Sequence, residues 1–80
     1  MTSSEKLLQK MRNNPVDWRI EDLETIAKQY DVGIRKSGGS HVVFTHTSWI
    51  QMLCVPARRP IKPIYVKKFL LLISELRGEV

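Results

Sequence analysis

Apolar residues recur along this 80-residue chain at two different spacings, and the change of spacing divides it into regions. Leu7, Leu8 and Met11 form a short stripe behind Thr2 and Glu5, which stand three apart as a capping box. Asn13-Asn14-Pro15 stops that stripe, so the pattern predicts a marginal first helix. A clearer one follows. Leu23, Ile26, Ala27 and Tyr30 occupy i, i+3, i+4 and i+7, one face of a 3.6-residue period. Glu21, Asp22 and Glu24 place negative charge where the helix dipole is positive. Asp17 and Arg19 both suit the flanking position at its start, and Asp31-Val32-Gly33 ends it.

From Gly33 the period shortens to two. Gly33–Ser37 reads as a first short strand, bounded by the turn Ser37-Gly38-Gly39-Ser40. His41–His46 is the second, with Val42 and Phe44 pointing one way and His41, Val43 and Thr45 the other. Thr47-Ser48-Trp49 connects it to a third strand over Ile50–Val55, which Pro56 closes because proline donates nothing to a ladder. Pro56–Pro63 is a basic, proline-rich loop, and Pro63 suits the first position of a last helix. Tyr65, Phe69, Leu72, Ile73 and Leu76 give that helix its buried stripe, and Gly78 stops it. The expected fold is α+β in the order α-α-β-β-β-α. Its helices pack on one face of a three-stranded antiparallel sheet and leave the other face open to a ligand.

Composition narrows the function classes. At 9.3 kDa there is room for one core, which excludes multi-layer enzymes and sites built between two domains. One cysteine, Cys54, allows no internal disulfide, and with two histidines it excludes Cys-rich zinc sites, so no metal or other cofactor is expected. No apolar run approaches a membrane span and the first ten residues hold no signal core, which together suggest a cytoplasmic domain. The placement of charge says more than the net +5. Residues 1–31 carry five basic side chains against six acidic, a net of −1, whereas residues 32–80 carry eight against two, a net of +6. No carboxylate occurs between Asp31 and Glu75, while Arg35, Lys36, Arg58, Arg59, Lys62, Lys67 and Lys68 fall in that gap. Such polarity suits a polyanion, and nucleic acid is the usual one.

The chemistry concentrates in Arg35-Lys36-Ser37-Gly38-Gly39-Ser40-His41. If Val42 and Phe44 are core, His41 stands on the open face, and Arg35 joins it there if Ile34 is buried. A glycine-serine turn lets backbone approach a phosphate and offers N–H donors beside a hydroxyl. Imidazole, with an ordinary pKa of about 6.5, is the side chain best suited to moving a proton near neutral pH. RNA carries its own nucleophile, the 2′-OH beside each phosphate, so one base with cations and N–H donors is enough for in-line cleavage. Against this stands a plainer use of His41, supporting the turn or binding RNA without catalysis.

Gly39-Ser40-His41-Val42-Val43-Phe44, with the basic lead-in Arg35-Lys36, resembles the HicA family of toxins. A preceding helix, a strand ending in Val55-Pro56, a basic loop and a Lys62-Pro63 helix start fit the same pattern, from Ile20 to Ile73. The resemblance implies a bacterial mRNA interferase with a fold like that of double-stranded-RNA-binding domains (dsRBD-like). It puts the family's glycine, serine and catalytic histidine on Gly39, Ser40 and His41. It also implies a HicB-type antitoxin as protein partner, covering the active face. Residues 1–18 then read as an N-terminal helical extension of a single domain. Members often carry a further histidine after the Val-Pro pair, where this chain has Ala57-Arg58-Arg59. A guanidinium replaces its charge but not its proton transfer, so the general acid is unassigned.

Arg35, Lys36, Arg58, Arg59 and Lys62 are the expected contacts to the RNA backbone, with Arg58, Arg59 and Lys62 the best phosphate cluster; Lys67 and Lys68 give the last helix a solvated face. His46 is expected on the side opposite His41 as a strand-end polar residue, and Cys54 as a small core filler. Trp49 either stacks on a base or partner, or folds back on the sheet edge, and Trp18 fixes the approach to the second helix. Leu71 has Lys67, Lys68, Ser74 and Glu75 as helical neighbours and should project into solvent. Two further classes share these features: a non-catalytic RNA-binding module, and an interaction subunit whose basic face meets an acidic protein.

Overall fold

The elements follow the alternation of spacings closely. A computed structural model describes residues 3–36 and 39–78. It contains α1 (Ser3–Asn13), α2 (Ile20–Gln29), β1 (Gly33–Lys36), β2 (His41–Thr45), β3 (Leu53–Pro56) and α3 (Pro63–Leu76). The α-α-β-β-β-α order and the α+β class are as expected, with one antiparallel sheet in the order β1-β2-β3. Thr2 of the expected capping box, and Ser37-Gly38 of the turn after β1, lie outside the described residues.

Helix α2 shows why its bounds fall where they do. Of the two candidates for its start, Arg19 takes the cap position: its N–H donates to Asp22 Oδ2 at 3.1 Å while the Asp22 N–H donates to the Arg19 carbonyl at 3.0 Å. At the other end Asp31 adopts φ 58°, the left-handed conformation that turns the chain out of the helix. The Val32 N–H then reaches back to the Ala27 carbonyl at 2.9 Å, and both residues are buried. That pattern of a left-handed residue and a six-to-one hydrogen bond caps the helix and delivers the chain into β1.

Phe44 on β2 and Phe69 on α3 anchor the core, with ring centroids 5.2 Å apart and planes tilted by 56°. Around them close Leu23, Ile26 and Ala27 of α2, Val42 and Val55 of the sheet, and Val66 and Ile73 of α3. The buried line of α3 is thus Val66, Phe69 and Ile73; Tyr65, Leu72 and Leu76, expected in it, flank it half-buried. Helix α1 is short but not marginal in its packing. Leu8 and Met11 are almost wholly buried, and the Arg12 guanidinium donates to Ser74 Oγ at 3.0 Å. Burying each such side chain contributes about 1.5–3 kcal/mol.

The strand register sorts the sheet into two faces. Val42 opposite Val55, and Phe44 opposite Leu53, point into the core, with Ile34 beside Phe44. His41 opposite Pro56, and Val43 between Arg35 and Cys54, occupy the other face. Cys54 is therefore exposed and not the core filler expected, because it alternates with the buried Leu53 and Val55. Strand β3 begins at Leu53 rather than Ile50, since β2 ends at Thr45 and leaves the earlier residues nothing to pair with. After Thr45 the chain turns: the Trp49 N–H donates to the His46 carbonyl at 3.0 Å and the Ser48 N–H to His46 Nδ1 at 3.0 Å. Trp49 folds back onto the protein, half-buried, with its ring 5.7 Å from that of His46.

Candidate functional site

The open face ends at a small cavity beside the first residue of β2. His41 is exposed there, opposite Pro56, and the Ala57 N–H donates to the Ser40 carbonyl at 2.6 Å, tying the glycine-serine turn to the start of the basic loop. Four residues on, the Ile61 N–H donates to the Trp18 carbonyl at 2.8 Å and the Ile61 side chain is buried. Trp18 is half-buried against the core, and its indole N–H donates to the Asn14 carbonyl at 2.6 Å, so it does fix the approach to α2. Lys62 then caps α3 in an extended conformation and Pro63 opens the helix.

These constraints fold the loop back over the strand end. A cavity of about 290 Å³ results, lined by Ser40, His41, Arg58, Lys62 and Tyr65 between Pro56 and Pro60. Among the described residues no carboxylate lines it. Arg58 and Lys62 supply positive charge, and the first turn of α3 adds the positive end of a helix dipole. The arrangement offers an imidazole, a hydroxyl, a phenol and two cations to one anionic group.

Four of the expected contacts stand apart from this cavity. Arg35 shares the open face but lies beside Val43, two residues along β2 from His41. Gly39 is exposed in the turn next to Ser40. Lys36 pairs with Val42 and so points to the helix side of the sheet, where its ammonium lies 3.4 Å from Glu24 Oε2. Arg59 extends toward Glu21, at 4.0 Å, on the outer surface. Of the five basic residues expected on RNA, Arg58 and Lys62 meet His41 in one place.

Tyr65 belongs to the site and was expected only as part of a buried stripe. Its position two residues after Pro63 was visible in the sequence, but the return of the loop that sets α3 beside β2 was not. His46 is accounted for by its turn and by Trp49. Among the described residues, no three His, Cys, Asp or Glu side chains gather to hold a metal ion, and no helix is long and apolar enough to cross a membrane. No protein-family model, curated protein or solved structure matches the chain.

Proposed function

We propose that this protein is a HicA-like toxin, a cytoplasmic endoribonuclease that cuts mRNA without a metal and is held in check by a HicB-type antitoxin. The observation that supports this reading is the shared cavity of His41, Ser40, Arg58 and Lys62 at the end of an otherwise open sheet face. In the proposed step His41 takes the proton of a 2′-OH, and the 2′-oxygen attacks the adjacent phosphorus in line. The bond to the 5′-oxygen breaks, leaving a 2′,3′-cyclic phosphate on one fragment and, once that oxygen takes up a proton, a 5′-OH on the other. The Tyr65 hydroxyl and the Lys62 ammonium are the donors on the cavity wall from which that proton can come. Arg58, Lys62 and the Gly39-Ser40 backbone hold the charge that builds on the non-bridging oxygens.

The test is cleavage of a defined transcript by the purified chain in the presence of chelator, with wild type beside His41→Ala. Expected are cyclic or 3′-phosphate ends from wild type, and from the variant no cleavage, no growth arrest on expression, and nearly unchanged RNA affinity. Cleavage that needs a divalent metal, or that survives His41→Ala, refutes the mechanism. RNA binding without cleavage by wild type selects the non-catalytic binding module instead.

A further inference from the structure

In-line cleavage needs two proton transfers, one from the 2′-OH and one to the departing 5′-oxygen. Beside His41, the side-chain donors on the cavity wall are Ser40, Arg58, Lys62 and Tyr65. Arg58 gives up no proton, because a guanidinium stays charged. The Ser40 hydroxyl is an alcohol like the departing one, so a transfer between them has no driving force. Lys62 and Tyr65 remain.

Placement and charge separate these two. Tyr65 is half-buried and packs against the core, whereas Lys62 is exposed. In the first turn of α3 the Tyr65 N–H donates to the Lys62 carbonyl at 2.9 Å, and the next side chain, Val66, is wholly buried. The phenol is thus carried on a packed ring, while the ammonium rides on a long flexible stem. Proton transfer rewards the positioned donor. Among the described residues no hydrogen bond engages the Tyr65 hydroxyl, so its proton is not committed elsewhere. Charge points the same way. Lysine that gave up its proton would remove a cation just as negative charge builds on the phosphate, whereas donation by Tyr65 leaves Arg58 and Lys62 both charged.

We propose that Tyr65 is the general acid of the cleavage, a catalytic residue that works opposite His41; this role rests on the nuclease reading. Tyr65 Oη passes its proton to the 5′-oxygen as the bond from phosphorus to that oxygen breaks. Water then returns a proton to the phenolate and takes from His41 the one it removed from the 2′-OH. The base stands at the end of β2 and the acid on α3, so the two groups enter the cavity from different elements. That division suits a displacement in which the entering and departing oxygens lie on opposite sides of the phosphorus. Lys62 keeps its proton and acts as a fixed charge beside Arg58.

The test uses the full chain and one linkage that wild type cuts in a mapped transcript. A short RNA across that linkage is made with either oxygen or sulfur at the 5′-bridging position. Sulfur leaves as a thiolate without needing an acid, since thiols lose their proton near a pH of about 8.5. Tyr65→Phe, which keeps the ring, should slow cleavage of the oxygen linkage by about 10²–10⁴-fold. The same variant should cut the sulfur linkage within about threefold of wild type, which also reports that its site is folded. His41→Ala and Lys62→Met should slow both linkages. Wild-type cleavage of the oxygen linkage by Tyr65→Phe overturns the proposal, and so do equal losses on both linkages, the mark of a structural role. Rescue of Lys62→Met by sulfur also overturns it, by making Lys62 the acid. Those three outcomes leave the nuclease reading standing. If wild type cuts no transcript, that reading and this one fall together.

Discussion

Lys36→Met removes the charge facing Glu24 while keeping a side chain of similar length. The Lys36 side chain is 66% exposed but that of Glu24 only 13%, and Glu24 Oε2 is shut off from solvent with no hydrogen-bond donor among the described residues. Exposed ion pairs contribute about 0–1 kcal/mol, whereas stripping the partner from a buried charge costs about 3–5 kcal/mol. With one member in solvent and the other nearly out of it, the cost lies between, about 1–2 kcal/mol. For a domain of this size that lowers the Tm by roughly 5–15 °C. Urea and thermal melts of Lys36→Met, Glu24→Gln and the double variant measure it. The neutral amide no longer needs a cation, so the double variant should be destabilised by about 1 kcal/mol less than the two single changes added together. The same variants address the ligand. A lysine on an RNA phosphate contributes about 0.7 to the slope of log affinity against log salt. Lys36→Met should leave that slope unchanged, while Arg58→Met should reduce it by about 0.7. Wild-type stability in Lys36→Met together with a reduced slope would sink this reasoning and return Lys36 to the RNA.

Other expectations follow from the same contacts. Met11→Ala should cost about 2–5 kcal/mol in urea unfolding, and a cost under about 1 would mean that α1 is no part of the core. Gly33→Ala should destabilise by about 1–3 kcal/mol, because a Cβ there would lie 2.5 Å from Thr45 Oγ1 across the β1–β2 pair; Gly33→Ala with Thr45→Ala should regain most of that, and failure to do so would place the strain elsewhere. Asp31→Gly should raise stability by about 0.5–1 kcal/mol, since Asp31 holds φ 58° at the end of α2. A lowered melting temperature would show that the aspartate stabilises the turn in some further way.

What could be read from the sequence depended on how local its cause was. The α2 stripe and the inward pair Val42 and Phe44 are periodic patterns over a few residues, and they appear as expected. The same alternation, counted back from Val55, already put Cys54 opposite the core; a general preference for buried cysteine overrode it. The side taken by Lys36 needed the β1–β2 register, and its proximity to Glu24 needed the packing of α2 on the sheet, so neither was available locally. Ile50–Met52 has strand-forming residues, yet a strand also needs a partner, and the turn closing on His46 removes it. His41, Ser40, Arg58 and Lys62 are legible in the sequence, because residue type and strand alternation alone mark them. That Tyr65 joins them, and that Arg59 and Lys36 turn to carboxylates, follows from tertiary placement alone.

The two backbone hydrogen bonds that pin the basic loop, Ala57 to Ser40 and Ile61 to Trp18, leave only Arg58-Arg59-Pro60 spanning between fixed points. The conformational freedom of Arg58's backbone is thus surrendered when the chain folds, and an arriving anion has less disorder left to quench. One of the two anchors lies between α1 and α2, far along the chain from the residues it steadies. By linkage, an anion that Arg58 and Lys62 bind on the proposed reading would steady the Ile61–Trp18 anchor, and loosening that anchor would weaken the anion's hold by the same free energy. On that reading, substitutions that disturb the Trp18 anchor are expected to change affinity at the cavity while touching nothing that binds there.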